Sequence, residues 1–495
     1  MDNKQVLNDQ EQVRREKLDK YRELGVDPFG KAYKVTHHVK DIRKLCEKKS
    51  AASLDKMNLI VSVAGRIMAI RRMGKASFVN IQDKTGNIQG YIGIDVVGKK
   101  SYEVFRLADI GDIVGLKGRV MMTRTGELTI RVEKYTHLTK CLHPLPEKFH
   151  GLTDVEERSR RRYLDLIVND DSRKVAFARP KIVREIQHFL DENDFVEVET
   201  SILNPILGGA SARPFVTHHN TLDKDFYLRI ATELNLKRLI VGGMERVYEI
   251  GRLFRNEGMD ASHNPEFTTI EAYEAYGDLQ SMRKLAEGMI RKAAKDVTGS
   301  DIVTYQGKEI NFHKPFRWVS MADLILEKTG IDFRKIYDFE EAKKLAEQKG
   351  IKLEKHKNTV GHVMNEFFEE FCEADLIQPT FVYSYPIEVS PLTKKGKDPR
   401  YTERFELFVN GRELANAYTE LNDPIDQKER FLAQLKAKEL GDEEANEMDN
   451  DFIEALEYGM PPAGGIGMGI DRLVMLLTDQ ENIREVILFP MMKDR

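Results

Sequence analysis

Three stretches carry residue types whose spacing could do chemistry. The first is Gly251-Arg252-Leu253-Phe254-Arg255-Asn256-Glu257-Gly258 and, after a short polar loop, His263-Asn264-Pro265-Glu266-Phe267-Thr268-Thr269-Ile270-Glu271-Ala272-Tyr273. Two strands around a loop are predicted. Alternation puts Arg255 and Glu257 on one face of the first arm, and Phe267, Thr269, Glu271 and Tyr273 on one face of the second. Arginine, carboxylates, a ring and a phenol are an odd face to build for packing, although a half-exposed hairpin with a surface ion pair uses the same types.

The second stretch, Tyr401-Thr402-Glu403-Arg404-Phe405-Glu406-Leu407-Phe408-Val409, meets Arg412-Glu413-Leu414-Ala415-Asn416 across Asn410-Gly411, a strong hairpin signal. A two-residue turn sets Phe408 opposite Glu413 and Glu406 opposite Ala415. Glu406 and Glu413 are then diagonal neighbours, about 7–8 Å apart at the backbone, within reach of one hard cation. Two such carboxylates repel unless a metal or a basic group lies between them. Magnesium with phosphate as co-ligand fits; two exposed glutamates need no metal. The third stretch, Gly464-Gly465-Ile466-Gly467-Met468-Gly469-Ile470-Asp471-Arg472-Leu473, is a glycine-rich loop leading into an apolar helix. Bare amides near a helix start favour an anion, and close helix packing explains the glycines equally well. Neither Gly-x-Gly-x-x-Gly nor a Walker loop occurs.

These stretches need a framework. At 495 residues the chain has room for two to four domains at about 150 residues each. Residues 9–24 hold Val13, Leu18, Tyr21 and Leu24 at roughly helical spacing among Arg14, Arg15, Lys17, Lys20 and Arg22. This basic helix either packs on the body or contacts RNA. From Leu59 to Thr136 the period changes to two, with turn signals at Lys84-Thr85-Gly86-Asn87 and Arg124-Thr125-Gly126. Five short strands, with a helical stretch from Tyr102 to Ala108 before the fourth, predict an OB-type barrel, which serves either single-stranded nucleic acid or plain interaction. Pro144, Pro146 and the basic run Arg158-Ser159-Arg160-Arg161-Arg162 mark a linker. The divisions are thus residues 1–57, an N-terminal helical extension; 58–145, the barrel; 146–179, the linker; and 180–495, an α+β domain, largely helical near 280–375.

In this order the three stretches resemble motifs 2 and 3 of class II aminoacyl-tRNA synthetases, with the metal-binding strands between them. Val183 to Leu203 resembles motif 1. The resemblance runs nearly end to end with the class II lysyl-tRNA synthetases of bacterial type, which also carry a basic N-terminal helix and an OB-type anticodon domain. It is specific at Gly208-Gly209-Ala210-Ser211-Ala212-Arg213-Pro214-Phe215, at Phe254 to Gly258 and at His263 to Thr268. The fold implied is a β-barrel followed by a catalytic domain built on a mostly antiparallel sheet flanked by helices.

By that resemblance the enzyme activates L-lysine with ATP, releasing pyrophosphate, and transfers it to the 3′ end of tRNA(Lys). Arg255 would hold the α-phosphate and Arg472 the γ-phosphate; Glu257 would contact the adenine amino group, His263 the phosphates, and Phe267 would stack under adenine. Glu406 and Glu413 would hold Mg²⁺. Because the substrate carboxylate attacks in line, the enzyme chiefly positions and neutralises, and no dedicated base is needed. Gly209, Glu233, Glu271, Tyr273, Asn416 and Glu420 match the family's amino-acid pocket, and acidic Glu420 stands where the related aspartyl enzymes carry an arginine. Asn416 and Glu420 share a face with Glu413 only if the strand is broken or bulged between them. On the barrel, Phe78 and Gln89 match the uracil-recognising pair, with Arg66 and Glu127 as neighbours. Motif 1 departs from the family: Glu199-Thr200-Ser201 replaces Glu-Thr-Pro at the dimer interface. A two-fold homodimer with loosened interface geometry is still expected.

Composition bounds the rest. A net charge of −4 gives no overall attraction to nucleic acid, so any RNA site must be a local patch. No apolar run could span a bilayer. Met1-Asp2-Asn3-Lys4-Gln5 leads into a charged stretch unlike a signal peptide, and Cys46, Cys141 and Cys372 form neither a disulfide framework nor a zinc site. A cytoplasmic protein is expected. The competing readings are an aspartyl- or asparaginyl-tRNA synthetase, a ligase that attaches lysine to a protein, and a nucleic-acid-binding or regulatory protein with a dead catalytic domain. The barrel argues against the second, and Arg255, Glu406, Glu413 and Arg472 together argue against the third.

Overall fold

The structure is a computed structural model and describes residues 8–146, 152–210, 212–439 and 447–494; Met1 to Gln5 and Ser211, named above, lie outside them. The chain divides into two compact units, Met1–Thr153 and Asp154–Arg495.

In the first unit Asn8 caps the helix Asp9–Glu23. Much of that helix's basic face is spent on packing. Arg14 is buried and donates to the carbonyls of Cys141 (2.8 Å) and Ile110 (3.1 Å), and Lys17 pairs with Asp109 at 2.6 Å. Lys20 and Arg22 remain exposed, as does Val13 of the expected apolar stripe. Strands β1 (Ile60–Met73), β2 (Ala76–Asp83), β3 (Gly86–Gly93), β4 (Ile113–Met122) and β5 (Leu128–Thr139) close a barrel in the order β1-β2-β3-β5-β4. Its interior takes alternate residues such as Val79, Ile81, Ile88, Leu116 and Ile130. The expected helix before the fourth strand is Lys99–Arg106.

The stretch expected as a linker is mostly not one. Helices Val155–Arg160, Arg162–Val168 and Asp170–Asp191 belong to the second unit. The basic run is built in: Arg158 binds Asp165 (2.9 Å) and Glu485 (2.8 Å), and Arg162, only 2% exposed, binds Asp165 and the carbonyls of Arg484 and Leu488. A charge run looks solvated in sequence because its acidic partner Glu485 lies more than 300 residues away.

The second unit has strands β6 (Val196–Glu197), β7 (Leu203–Asn204), β8 (Val216–His219), β9 (Lys224–Leu228), β10 (Arg246–Phe254), β11 (Glu266–Ala275), β12 (Ile302–Tyr305), β13 (Lys308–Asn311), β14 (Arg317–Ser320), β15 (Thr380–Tyr383), β16 (Arg404–Val409), β17 (Arg412–Thr419) and β18 (Ala463–Gly469). Eight form one sheet, β14-β15-β16-β17-β18-β11-β10-β6, antiparallel except at β14·β15 and β10·β6. One face is covered: Ile270, Ala272, Phe405, Leu407, Ala417, Ile466 and Met468 share a core with Ile186, Met289 and Leu473 of the helices Asp170–Asp191, Leu279–Thr298 and Ile470–Leu477. Alternation therefore turns Phe267, Glu271, Tyr273, Glu406, Asn416, Gly465 and Gly467 to the opposite face. The helices expected near 280–375 are interrupted by β12, β13 and β14. Phe367 and Phe368 of the helix Val360–Phe371 cluster with Tyr385 and Phe408 at the edge of the open face.

Candidate active site

The floor of the open face is β18. It is a central strand, not the loop expected from its glycines, and pairs with β11 and β17; Gly467 lies between Glu271 and Asn416, and Gly465 between Tyr273 and Tyr418. A Cβ at Gly465 would fall on Glu420 Oε1 and on the Tyr273 ring. Gly467, where an added Cβ would meet nothing nearer than the Glu271 side chain at 3.8 Å, leaves a bare backbone trough between two side-chain walls that a ligand can approach closely, while Gly465 makes room for Glu420 and Tyr273.

One wall comes from the hairpin β10–β11. Glu249 faces Glu271 and Leu253 faces Phe267. Residues 255–260 are irregular, so the expected strand face shared by Arg255 and Glu257 does not extend that far; Arg255 continues the ladder by one bond, its amide donating to Pro265 O at 2.9 Å. Its guanidinium lies over the Phe267 ring, 5.2 Å from the centroid, and its Nε is buried without a hydrogen-bond partner. Glu257 is exposed. Arg472, near the start of the helix Ile470–Leu477, donates to Glu413 O (2.6 Å) and pairs with the Glu413 carboxylate at 3.4 Å. His263 Nε2 lies 3.3 Å from the same guanidinium and Nδ1 2.8 Å from Asp260. An arginine only donates, so Nε2 accepts and Nδ1–H donates to Asp260. Asp471, bonded to the Thr268 amide (2.6 Å) and to Arg179, anchors this helix to β11.

The other wall is the hairpin β16–β17. Phe408 faces Glu413 as expected, but Glu406 faces Asn416 instead of Ala415, because the register shifts between Leu407 and Phe408. Leu414 and Ala415 consequently both enter the core. This bulge is the break required to bring Glu413, Asn416 and Glu420 to one face. Arg404 ties the wall together: it donates to Glu406, to Asn416 Oδ1 (3.0 Å) and to Val389 O (2.6 Å), above the Tyr385 ring. Tyr385 OH donates to Glu406 at 2.8 Å. Burial first, and Glu413 and Glu373 after it, push the Glu406 carboxyl up to about 7, against the pull of Arg404. Glu406, Glu413, Glu369 and Glu373 line a cleft of about 240 Å³. Among the described residues no three His, Cys, Asp or Glu are grouped to hold a metal by themselves. The set fits an ion whose remaining ligands are phosphate oxygens and water, the usual manner of magnesium.

Between the walls lies a buried acidic pocket. Glu233, Glu271 and Glu420 are 5%, 7% and 0% exposed. Glu271 accepts from the Thr232 amide (3.0 Å) and Tyr273 OH (3.2 Å), and Glu233 from Tyr418 OH (2.6 Å). Burial pushes Glu271 up to about 7 and raises Glu420 also, the neighbouring carboxylates adding to both. Gly209 has φ +91°, which disfavours a side chain, and a Cβ there would come within 3.1 Å of Ala231 and 3.6 Å of Glu233. Lys237, absent from the sequence-derived set, pairs with Glu233 (2.5 Å) and Glu420. Lys237 and Glu233 are four apart on a helix, which in sequence looks like a solvated surface pair.

On the barrel, Phe78 and Gln89 lie on its outer face. Gln89 faces Asn80 and Thr129, donating to Thr129 at 2.9 Å, and Phe78 stands beside Tyr91, ring centroids 5.4 Å apart. Register extends this rank to Arg71, Phe78, Tyr91 and Arg131 across four strands, and sequence reasoning found only one of them. Arg66, opposite Gln82, donates to Gly111 O at 2.7 Å; Glu127 is exposed just before β5.

Comparisons with known proteins agree with this division. A family profile described as "tRNA synthetases class II (D, K and N)" matches residues 154–493, and one described as "OB-fold nucleic acid binding domain" matches residues 61–138. The chain is 57% identical over 488 residues to a protein of Streptococcus suis named lysine–tRNA ligase, covering 98% of each. Proteins of the same name from Streptococcus agalactiae (57%, 98% of each) and Lactococcus lactis (56%, 98% of this chain and 99% of that one) are similar to it.

Proposed function

The chain belongs to the class II tRNA synthetases, in their lysine–tRNA ligase branch, and from that premise we propose how its residues join lysine to tRNA at the expense of ATP. The observation that carries the reading is the acidic pocket Glu233, Glu271, Glu420 on the same sheet face as Arg255 and Arg472. ATP lies over β18, its adenine on Phe267 with Glu257 at the amino group, its α-phosphate at Arg255 and its γ-phosphate at Arg472 and at His263, whose Nε2 takes up a proton to donate there. Lysine lies alongside, over Gly209, with its ammonium groups among Glu233, Glu271, Tyr273, Asn416 and Glu420. Its carboxylate attacks the α-phosphorus in line, and the Arg255 guanidinium meets the charge that develops there. Pre-set donors need no reorganisation during the reaction.

Glu406 and Glu413 are the proposed holders of Mg²⁺, which when bound neutralises phosphate charge. Chelation with EDTA is expected to abolish ATP–pyrophosphate exchange and added Mg²⁺ to restore it. Glu406→Gln should raise the Mg²⁺ concentration for half-maximal exchange about tenfold or more; an unchanged requirement would remove Glu406 from the site. Gly465→Ala should lower kcat/KM for lysine about a hundredfold by displacing Glu420 and Tyr273. If steady-state kinetics show less than a threefold change, the pocket held by Glu420 and Tyr273 is not where lysine lies.

The rank Arg71, Phe78, Tyr91, Arg131, with Gln89 and Arg66 beside it and Glu127 at its margin, is the proposed anticodon surface of tRNA(Lys): rings to stack bases, arginines for phosphates. A homodimer is proposed through the exposed apolar residues Val196, Ile202, Leu203, Val216 and Leu222, next to Ser201 and the β6 edge. No helix among the described residues is long and apolar enough to cross a membrane, and three free cysteines suit the proposed cytoplasmic location. The decisive assay is pyrophosphate exchange and tRNA charging with each of the twenty amino acids. Lysine alone should be activated and charged; activation of aspartate or asparagine instead overturns the reading.

A further inference from the structure

Lys237 is a buried ammonium that the catalytic scheme above leaves unused. It sits one turn into the helix Glu233–Val241 and is 0% exposed. Its Nζ lies 2.5 Å from Glu233, pairs with Glu420, and stands 5.5 Å from the Tyr418 ring centroid. A buried ammonium is strongly unfavourable unless paired. Burial pulls Lys237 down, but Glu233 and Glu420 outweigh it and hold the group above the ordinary lysine value. It is therefore charged at neutral pH. The third carboxylate, Glu271, has only neutral partners, the Thr232 amide and Tyr273 OH. The phenols that face the group, Tyr273 and Tyr418, are pushed far up by burial and stay neutral. Arg404, on the same sheet face, is committed to Glu406 and Asn416.

The charges can be counted. In the ionised form that binds ammonium best, three carboxylates and one resident ammonium leave a deficit of two positive charges in a buried pocket. Lysine carries two ammonium groups. Resting on the lysine-activating reading, we propose that Lys237 is a positioning residue for specificity: it neutralises one of the three pocket carboxylates, holds Glu420 in place, and so fixes at two the number of ammonium groups the pocket accepts. An amino acid with one ammonium leaves a carboxylate buried and uncompensated, and is rejected on that ground even where its side chain has lysine's length.

The test is ATP–pyrophosphate exchange by the full-length protein in four forms: unaltered, Lys237→Met, Glu233→Gln and the double variant. Lys237→Met should raise KM for lysine by about a hundredfold with little change in KM for ATP. Lys237 holds Glu420's carboxyl down against burial, so its loss should move upward, by about one pH unit or more, the pH at which the lysine KM stops improving. The double variant removes one charge of each sign. In the Glu233→Gln background Lys237→Met should therefore raise KM less than tenfold, and with the ATP KM and the pH profile as separate readouts this non-additivity marks the charge pair. Parallel changes in the lysine and ATP KM, an unmoved pH profile, or a full hundredfold loss in the Glu233→Gln background each overturn the proposal. Should Lys237→Met fail to fold, the comparison of the double variant with Glu233→Gln decides alone. An unaltered protein that does not activate lysine instead sinks the reading on which the proposal rests.

Discussion

Arg255→Ala is expected to lower lysine-dependent ATP–pyrophosphate exchange about a thousandfold, the upper range for losing one donor aimed at developing charge. The side chain is prepared for that role. Its guanidinium is held over Phe267, 5.2 Å from the centroid, and Nε has no hydrogen-bond partner among the described residues. Arg255→Lys should recover less than a tenth of the lost rate, since a point charge replaces a planar fork that also stacks. Because the proposed target of Arg255 is the phosphate, KM for lysine should change far less than kcat. Exchange within tenfold of the unaltered enzyme in Arg255→Ala would place the α-phosphate elsewhere.

Glu420→Gln should raise KM for lysine a hundredfold or more, the effect of leaving an ammonium in a buried site without its counter-charge, about 2–5 kcal/mol. A pH dependence goes with it. Burial raises the Glu420 carboxyl above the ordinary range and Glu271 to about 7, so at low pH both are protonated in the free enzyme. An ammonium binds best to the ionised forms. KM for lysine should therefore fall as pH rises through about 7 and flatten beyond the raised Glu420 value. Glu420→Gln should lose the later part of that fall and keep the part due to Glu271. A lysine KM independent of pH between 6 and 9 in the unaltered enzyme would mean that neither carboxylate changes protonation when lysine binds.

Where sequence and structure part, the reasons are physical. Asn410-Gly411 fixed the turn, so the pairing of Phe408 with Glu413 was legible; the next pair was not, because the bulge at Leu414 leaves no mark in residue types. The glycines of 464–469 announced a close approach, but whether as loop or central strand depended on partners two hundred residues away in β11. Phe78 was identifiable by resemblance, whereas Arg71, Tyr91 and Arg131 join it only through strand register. Arg404 and Lys237 were hidden for one shared reason. Each is a basic residue whose burial and charge partners are created by tertiary contacts, and periodicity assigns such residues to solvent.

The bareness of β18 also bears on how this site could change under selection. A small molecule resting on Gly467, where an added Cβ would meet nothing nearer than the Glu271 side chain at 3.8 Å, would meet peptide backbone, which substitution does not alter. A side chain at Gly465 would strike Glu420 and Tyr273 before it struck the molecule. Resistance to such an inhibitor would have to arise on the walls, among the residues proposed to hold the substrates.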